Sequence, residues 1–254
     1  MQKLIVNHIS LAYERRGRGA PLVLIHGYPL DHTIWADVVP LLDSAFDLIL
    51  PDLRGFGESG APASGWTMGD LASDLAGLLD SLGVDTACVA GHSMGGYAAL
   101  AFAAAYPRRM RGLALVASQA AADAPDGKEK RYATAKLIAE QGTGSVVTGM
   151  PPKLSADVHV QSFARELIEK QKPAGLIGSL KAMAERADTL SMLASASFPV
   201  LLVHGDADQL IPVERAREIK TAIPRAQLVE LAGVGHMPMM ESPQAVADAL
   251  KSFL

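Results

Sequence analysis

The chain has 254 residues, enough for one large domain or for one domain with an insertion. Hydrophobic residues make up 49% and charged residues 20%, with a formal net charge of −4, so no basic field is available for nucleic acid or anionic lipid. No apolar run approaches the roughly 20 residues of a transmembrane helix, and the N-terminus lacks the features of a secretory signal. We therefore predict a cytoplasmic protein that acts on a small molecule, with no nucleic acid and no membrane among its partners.

Short apolar runs recur along the chain and are bounded by turn residues, which predicts buried strands of a parallel sheet. The N-terminal stretch 1–17 alternates apolar and polar residues as one half-buried strand would. The later runs are LVLIHG (22–27), FDLIL (46–50), ACVAG (87–91), LALVAS (113–118), VLLVHG (200–205) and QLVELAG (227–233). Helical patterns between the runs cover 68–83, 96–107, 214–223 and 243–254. This alternation predicts a doubly wound α/β sheet.

One cysteine, Cys88, is present, so an intramolecular disulfide is impossible. Because it lies inside the apolar run ACVAG, we predict a small buried hydrophobe.

The interval from 119 to 197 interrupts the alternation because it contains no convincing strand. Helical patterns such as KEKRYATAKLIAEQ and DVHVQSFARELIEKQ occur in it, and Pro151 and Pro152 are predicted to divide it. A structureless loop of this length is uncommon in a compact domain, so we predict a helical insertion.

The stretch GHSMG at 91–95 matches the pattern G-x-S-x-G, and it lies between a predicted strand and a predicted helix. A sharp turn there needs the small residues Gly91 and Gly95, while Gly96 lets the helix approach the sheet. Ser93 would then sit at the tip with its hydroxyl exposed, as a nucleophile requires. The alternative is a glycine-rich phosphate loop, but neither of the usual phosphate-binding spacings occurs here.

A serine nucleophile needs a base and an orienting acid later in the chain. His236, in the loop after the last predicted strand, is the candidate base, and Asp208, after the preceding strand, completes the order Ser, Asp, His. Asp206 is the rival acid. The spacing H-x-D-x-D at 204–208 also resembles a metal motif, but it lacks a second ligand cluster, so we predict no metal.

Three other histidines are predicted to be structural rather than catalytic. His92 should point away from the serine, His26 should brace its loop, and His204 should be a strand-end residue.

The oxyanion formed on attack needs two donors. We predict the backbone N–H of Met94, which follows the nucleophile, and the backbone N–H of Tyr28, in the loop after an early strand, where Gly27 lets the backbone turn toward the site.

Together these motifs resemble the α/β-hydrolase superfamily. The resemblance rests on HGYP (26–29), DLRGFGES (52–59), GHSMGG (91–96), HGDAD (204–208) and GVGHMP (233–238). It implies a mostly parallel sheet of about eight strands, with a helical cap inserted after the sixth strand. The core would comprise 1–118 and 198–254, and the cap 119–197.

The resemblance also implies roles for single residues. Ser93 would be the nucleophile, Asp208 the acid and His236 the base, with Tyr28 and Met94 as oxyanion donors. Asp52 and Arg54, in the motif DLRGFGES, are predicted to be structural rather than catalytic, through an ion pair or through loop hydrogen bonds.

Within the superfamily, the ending IPxAxLVELAGxGHMPMMESPxxVxxAL is similar to that of small capped esterases and 3-oxoadipate enol-lactonase-like proteins. A serine nucleophile argues against the dehalogenases and epoxide hydrolases, which carry aspartate. We predict a carboxylesterase that uses no cofactor and forms an acyl-enzyme on a small-molecule ester or lactone substrate. The alternatives are an enol-lactonase or other lactonase, a carbon–carbon bond hydrolase, and a small-molecule sensor that retains the triad; monomer and homo-oligomer both remain open.

Two groups of side chains bear on the substrate. Methionines near the proposed triad and apolar residues of the insertion would make an adaptable pocket, with core packing as the alternative for each. A dicarboxylate would need a basic group from the insertion, although solvated helix faces are the commoner place for such residues. The apolar candidates are Met94, Met237, Met239, Met240, Val146, Val147, Met150 and Leu154, and the basic candidates are Lys153, Arg165, Lys170, Lys172, Lys181 and Arg186.

Overall fold

The computed structural model describes residues 1–62 and 65–253. In this part of the chain eight strands form one sheet in the order β1-β2-β4-β3-β5-β6-β7-β8. The strands β3 to β8 are parallel, whereas β2 runs antiparallel to both β1 and β4. The strands are β1 (Gln2–Val6), β2 (Ile9–Gly17), β3 (Ala20–Ile25), β4 (Phe46–Pro51), β5 (Ala87–His92), β6 (Met110–Val116), β7 (Val200–Gly205) and β8 (Gln227–Leu231). The predicted fold class is confirmed.

Helices lie between successive parallel strands, and the last two helices follow β8. The helix Met68–Ser81 packs on Met94–Ala105, and Val39–Leu42 packs on Pro243–Phe253. Two short 3-10 helices cover His32–Trp35 and Pro107–Arg109. No helix in the described ranges is long and apolar enough to cross a membrane. The α-helices are α1 (Val39–Leu42), α2 (Met68–Ser81), α3 (Met94–Ala105), α4 (Pro125–Gln141), α5 (Gly144–Gly149), α6 (Pro151–Leu154), α7 (Val158–Lys170), α8 (Pro173–Ala184), α9 (Leu190–Ser195), α10 (Glu214–Ala222), α11 (Pro238–Glu241) and α12 (Pro243–Phe253); Leu254, the last residue of the predicted final helix, lies outside the described residues.

The prediction of one N-terminal strand is wrong, because the segment forms the hairpin β1–β2. Asn7 and His8 adopt φ angles of 48° and 66°, and Val6 pairs with Ile9 across the turn. Two consecutive residues with positive φ form the tight turn that suits the twist of a hairpin. Asparagine tolerates this conformation, so Asn7 is the local signal for the turn.

Two of the central strands are buried along their whole length. In β5 and β7 every residue is buried, which agrees with their unbroken apolar sequences because helices cover both faces of such strands. Cys88 lies in β5 as a buried free thiol, as predicted. The run QLVELAG was also predicted to be buried, but β8 is the edge strand and remains partly exposed.

Helices α4 to α9 fill the interval between β6 and β7. Pro151 and Pro152 occupy the first turn of α6, directly after α5, where proline is tolerated. The sequence patterns did not single out α8, which packs along α4. Its residue Gly178 lies so close to the indole ring of Trp66 that a Cβ would come within 2.6 Å of it, so this helix is pressed tightly onto the core.

Candidate active site

Ser93 lies at the tip of a sharp turn between β5 and α3. Its φ of 50° is in the left-handed region, which costs energy for a residue with a side chain. The turn is held because Ser93 N–H donates to the carbonyl of Val116 at 2.9 Å, and Ser118 Oγ donates to the carbonyl of Ser93 at 2.8 Å. Neighbouring backbone therefore over-determines the strained conformation.

The glycines beside Ser93 are required by close approach. A Cβ on Gly95 would lie 2.6 Å from the carbonyl oxygens of Ile25 and His26, and a Cβ on Gly91 would collide with the backbone of Gly95. Separations below 3.0 Å do not occur for real Cβ atoms, so substitution would move β3 or α3. The glycine positions of the motif thus follow from backbone contact.

His236 and Asp208 form a buried pair. The imidazole Nδ1 lies 2.6 Å from Asp208 Oδ2, and Asp208 Oδ1 accepts hydrogen bonds from the N–H groups of Leu210 and Ile211 at 2.8 and 3.0 Å. Burial tends to raise the pKa of Asp208, but hydrogen bonds from His204, His236 and the backbone hold that pKa well below its ordinary range. Asp208 is therefore a carboxylate at neutral pH.

The two candidate acids have different surroundings. Asp206 is exposed and accepts a hydrogen bond from the N–H of Gly233 at 2.6 Å, which braces the loop between β8 and His236. Asp208 is the carboxylate that contacts the imidazole of His236.

Ser93 and His236 open into one cavity of about 210 Å³, which we call the Ser93 chamber. In this structure Ser93 Oγ makes no hydrogen bond to His236, and such bonds are often long in the absence of substrate. The chamber is lined by Tyr28, Ser93, Tyr97, Gln119, Asp123, Arg131, Met150, Met183, Leu210, Ile211 and His236.

His92 braces the loop of His236. Its Nε2–H donates to the carbonyl of His236 at 2.8 Å, and the two rings lie 4.9 Å apart. Burial, together with the neighbouring imidazole, lowers the pKa of His92 well below its ordinary value, so the ring is neutral. The side chain therefore holds the backbone of the candidate base.

The other two histidines near the strand ends are structural as well. His26 Nε2 accepts the N–H of Leu53 at 2.9 Å, so its Nδ1–H donates to the carbonyl of Gly27 at 3.0 Å. His204 Nε2–H donates to the carbonyl of Ile211 at 2.8 Å. Both connect a strand end to the loop beside it, which agrees with the prediction from the sequence.

The two predicted oxyanion donors lie at the ends of different elements. Tyr28 follows β3, and Met94 is the first residue of α3. Within the described ranges neither backbone N–H donates a hydrogen bond to another protein group. Both donors are therefore available to a ligand.

Asp52 and Arg54 brace loops but do not pair with each other. Asp52 accepts from His32 Nδ1 at 2.6 Å and from the N–H of Glu58 at 2.9 Å, while Arg54 makes a two-pronged ion pair with Asp74 at 2.6 and 2.7 Å. Asp31, His32 and Asp52 form the one cluster in the described residues with a spacing that a metal could use. Both carboxylate oxygens of Asp52 already accept hydrogen bonds from the protein, which argues for a bracing role.

Asp123 and Arg131 line the helical side of the chamber and belong to a buried charge cluster. Asp123 pairs with Arg131 of α4, and its Oδ1 lies 2.7 Å from Arg186 Nη2. The guanidinium of Arg186 stacks on the ring of Tyr97 at 4.1 Å. Sequence reasoning singled out Arg186 but missed Asp123 and Arg131, because three positions so far apart in the chain carry no local pattern.

The methionines divide between chamber and core. Met150 lines the chamber, whereas Met94, Met237 and Met239 are fully buried in the hydrophobic core and do not line it. A second cavity of about 420 Å³ shares Tyr28, Arg131 and Met150 with the chamber among its lining residues. It extends between α4 and α5, and Lys153 is also among its lining residues.

Comparison with known proteins agrees with this architecture. The model of a family described as "Alpha/beta hydrolase family" matches residues 22–249. Lipase 1 of Psychrobacter immobilis is 34% identical, over 96% of this chain and 80% of that protein. A solved structure of a thermophilic esterase from Thermogutta terrifontis is 36% identical with a TM-score of 0.94, covering 99% of this chain and 96% of that one. The enol-lactonase from Burkholderia xenovorans LB400 is 26% identical with a TM-score of 0.90, covering 99% of each chain.

Proposed function

Because this chain belongs to the alpha/beta hydrolase family, we propose that it is a carboxylesterase that cleaves small carboxylic esters through an acyl-enzyme. The observation that carries the proposal is geometric: His236, which is hydrogen-bonded to Asp208, lines the same chamber as the strained Ser93. Nucleophile, base and orienting acid are the three groups that acyl transfer to a serine requires.

In the proposed reaction, Ser93 Oγ attacks the ester carbonyl while its proton passes to His236 Nε2. Asp208 accepts the Nδ1–H of His236, which fixes the tautomer and stabilises the imidazolium that forms. The N–H groups of Tyr28 and Met94 hold the oxyanion. His236 then returns the proton to the departing alcohol, and a water molecule repeats the sequence on the acyl-enzyme to release the acid.

We also propose that 119–197 acts as a cap over a core of 1–118 and 198–254. The chamber supports this division because Tyr28, Ser93 and His236 line it from the core, whereas Arg131 and Met150 line it from the helical segment. A substrate in the chamber would therefore be enclosed between the two parts. The cytoplasmic location and the absence of a cofactor stay predictions from the sequence.

The test is hydrolysis of p-nitrophenyl esters of increasing acyl length by wild type and by Ser93→Ala. We expect many turnovers by the wild type and a loss of about 10⁴–10⁶ in kcat for the variant, as for other enzymes that lose a triad serine. A wild type that stops after one turnover with a persistent adduct would support a sensor instead. An inert wild type with intact fold would contradict the esterase proposal.

A lactonase is the second candidate, since the Burkholderia enol-lactonase shares 26% of its residues and the whole fold with this chain. A panel of lactones beside simple esters separates the two candidates. A higher kcat/KM for a lactone than for every open-chain ester would favour the lactonase.

A further inference from the structure

The hydroxyl of Tyr28 is a buried donor without a partner. The residue is 6% exposed, and its hydroxyl makes no hydrogen bond to any of the residues that the structure describes. Leaving a buried hydroxyl unpaired is unfavourable, so such groups in proteins nearly always find a partner. Burial also raises the pKa of Tyr28, so the group stays an O–H donor at every physiological pH.

This unpaired hydroxyl belongs to a residue of the Ser93 chamber. Other buried polar atoms without partners occur in the described residues, for example on Trp35 and Ser179, but none of those residues lines the chamber. Tyr28 is thus the chamber residue whose side chain lacks the partner that its burial requires.

Arg131 lines the same chamber and supplies further hydrogen-bond donors there. Its Nε is committed to Asp123, but Nη1 contacts only the thioether sulfur of Met183 at 3.4 Å, and Nη2 reaches Asp123 at 3.5 Å. A thioether is a weak acceptor, and 3.5 Å is long for a hydrogen bond. Both terminal nitrogens of Arg131 can therefore exchange these contacts for a better acceptor.

We propose that Tyr28 Oη and Arg131 form a subsite for a hydrogen-bond acceptor oxygen carried by the ester, on its acyl or alcohol arm. The inference rests on the proposed esterase function and names its substrate class. The backbone N–H of Tyr28 is assigned to the oxyanion. The hydroxyl of Tyr28 lies at the far end of the side chain, one tyrosine length away from that N–H. The acceptor oxygen must therefore be several bonds from the scissile carbonyl, as a ketone or a carboxylate.

Three ethyl esters of matched length test the acyl arm: ethyl hexanoate, which has no acceptor, ethyl 5-oxohexanoate, which has a ketone, and monoethyl glutarate, which has a carboxylate. The readout is the ratio of kcat/KM for each acceptor ester to that for ethyl hexanoate. In Tyr28→Phe this ratio should fall by about tenfold to a hundredfold, since one buried hydrogen bond is lost. Pentyl acetate and 4-oxopentyl acetate repeat the comparison on the alcohol arm.

Tyr132→Phe is the matched control. Its hydroxyl is bonded to Glu185 at 2.9 Å on the exposed side of α4, so the ratios should equal those of the wild type. Tyr28→Phe should melt no lower than the wild type, because the hydroxyl it removes has no partner.

Arg131→Met distinguishes the two acceptors, and Asp123 keeps Arg186 as a partner in that variant. A larger fall for monoethyl glutarate than for ethyl 5-oxohexanoate would assign a carboxylate, and equal falls would assign a neutral oxygen. Unchanged ratios in Tyr28→Phe, in both ester series, would overturn the subsite while turnover of ethyl hexanoate left the esterase function standing. A wild type that hydrolyses none of the five esters would overturn both.

Discussion

The two sides of the Ser93 chamber are built differently. On the core side, the carbonyl of Ser93 accepts from the Ser118 hydroxyl at 2.8 Å, and its N–H donates to the carbonyl of Val116 at 2.9 Å. The glycines beside Ser93 have neighbours that leave no room for a Cβ. On the helical side, Nε of Arg131 is bonded to one oxygen of Asp123, but its terminal nitrogens reach Met183 and the other oxygen of Asp123 only at 3.4 and 3.5 Å. The first side allows one arrangement, whereas the second can rearrange its polar contacts.

For the proposed esterase, this difference indicates that the core side holds the reacting groups and the helical side selects the substrate. Reacting groups must be held within a fraction of an ångström, which close-packed backbone achieves. Groups that select a substrate must exchange partners when it binds, which long side chains on separate helices can do. The same core chemistry can therefore serve different substrates through changes in α4 to α9.

The largest expected effect comes from the core side. Asp208→Asn should lower kcat by about 10⁴-fold, because an amide at this position can donate to His236 Nδ1 and so favour the wrong tautomer. Asp206→Asn is the matched control: an amide oxygen can still accept the N–H of Gly233, so kcat should stay within about threefold of wild type. Steady-state kinetics on p-nitrophenyl butyrate measure both variants. A larger loss in Asp206→Asn would identify that residue as the acid and contradict our assignment.

The core side was also the more predictable from sequence. The turn around Ser93 depends on residues next to each other in the chain, so the motif GHSMG contains the glycine contacts that the structure shows. The order of residues in the chain predicted Asp208 and His236. Only the three-dimensional structure shows that Asp208 contacts His236, whereas Asp206, two residues earlier, accepts the N–H of Gly233.

The helical side was predicted only as a set of helices. The cluster of Asp123, Arg131 and Arg186 joins a loop, α4 and the residues after α8, and no periodicity links such distant positions. Helix α8 was not predicted because its sequence PAGLIGSLKAMA is apolar around much of its circumference and so lacks an amphipathic pattern. This composition reflects burial of the helix between α4 and the core. Long-range contacts decided these features, as they decided the partial exposure of β8.

A smaller effect, on stability, tests the charge cluster of the helical side. Asp123→Asn removes the carboxylate that both arginines share, so the buried Arg186 keeps only two carbonyl groups and the ring of Tyr97 as partners. The free energy of unfolding should therefore fall by about 3 kcal/mol. Asp126→Asn, on the same segment, breaks an exposed pair with Lys130 and should cause no measurable change. Urea unfolding at pH 7.5 compares the two variants. Equal stabilities would mean that the buried cluster does not hold the helices together.

The smallest expected effect is a pH dependence of stability that arises from two histidines on the core side. Burial, the largest influence on each, lowers the pKa values of His26 and His92, both on the core side. Below about pH 6.5 both rings are protonated in the unfolded chain but stay neutral in the folded chain. The free energy of unfolding should therefore fall by up to about 1.4 kcal/mol per pH unit for each ring as the pH is lowered. Urea unfolding at pH 7.5, 6.5 and 5.5 measures this slope, and His92→Gln, which keeps a donor for the carbonyl of His236, should reduce it by about half.

Other groups with shifted pKa values do not lower the stability between pH 6.5 and 5.5. Burial, the largest single influence, lowers the pKa of His32, but the hydrogen bond to Asp52 and the charges of Asp52, Asp31 and Glu14 together raise it. The stability that His32 contributes is complete below about pH 6.5 and is lost only as the pH rises through its folded pKa. The lowered pKa values of Asp123 and Asp208 give stability that is lost only as the pH falls below about 4. A flat stability between pH 6.5 and 5.5 would therefore mean that the two core histidines accept protons in the folded state, and that the core side is less rigid than its contacts indicate.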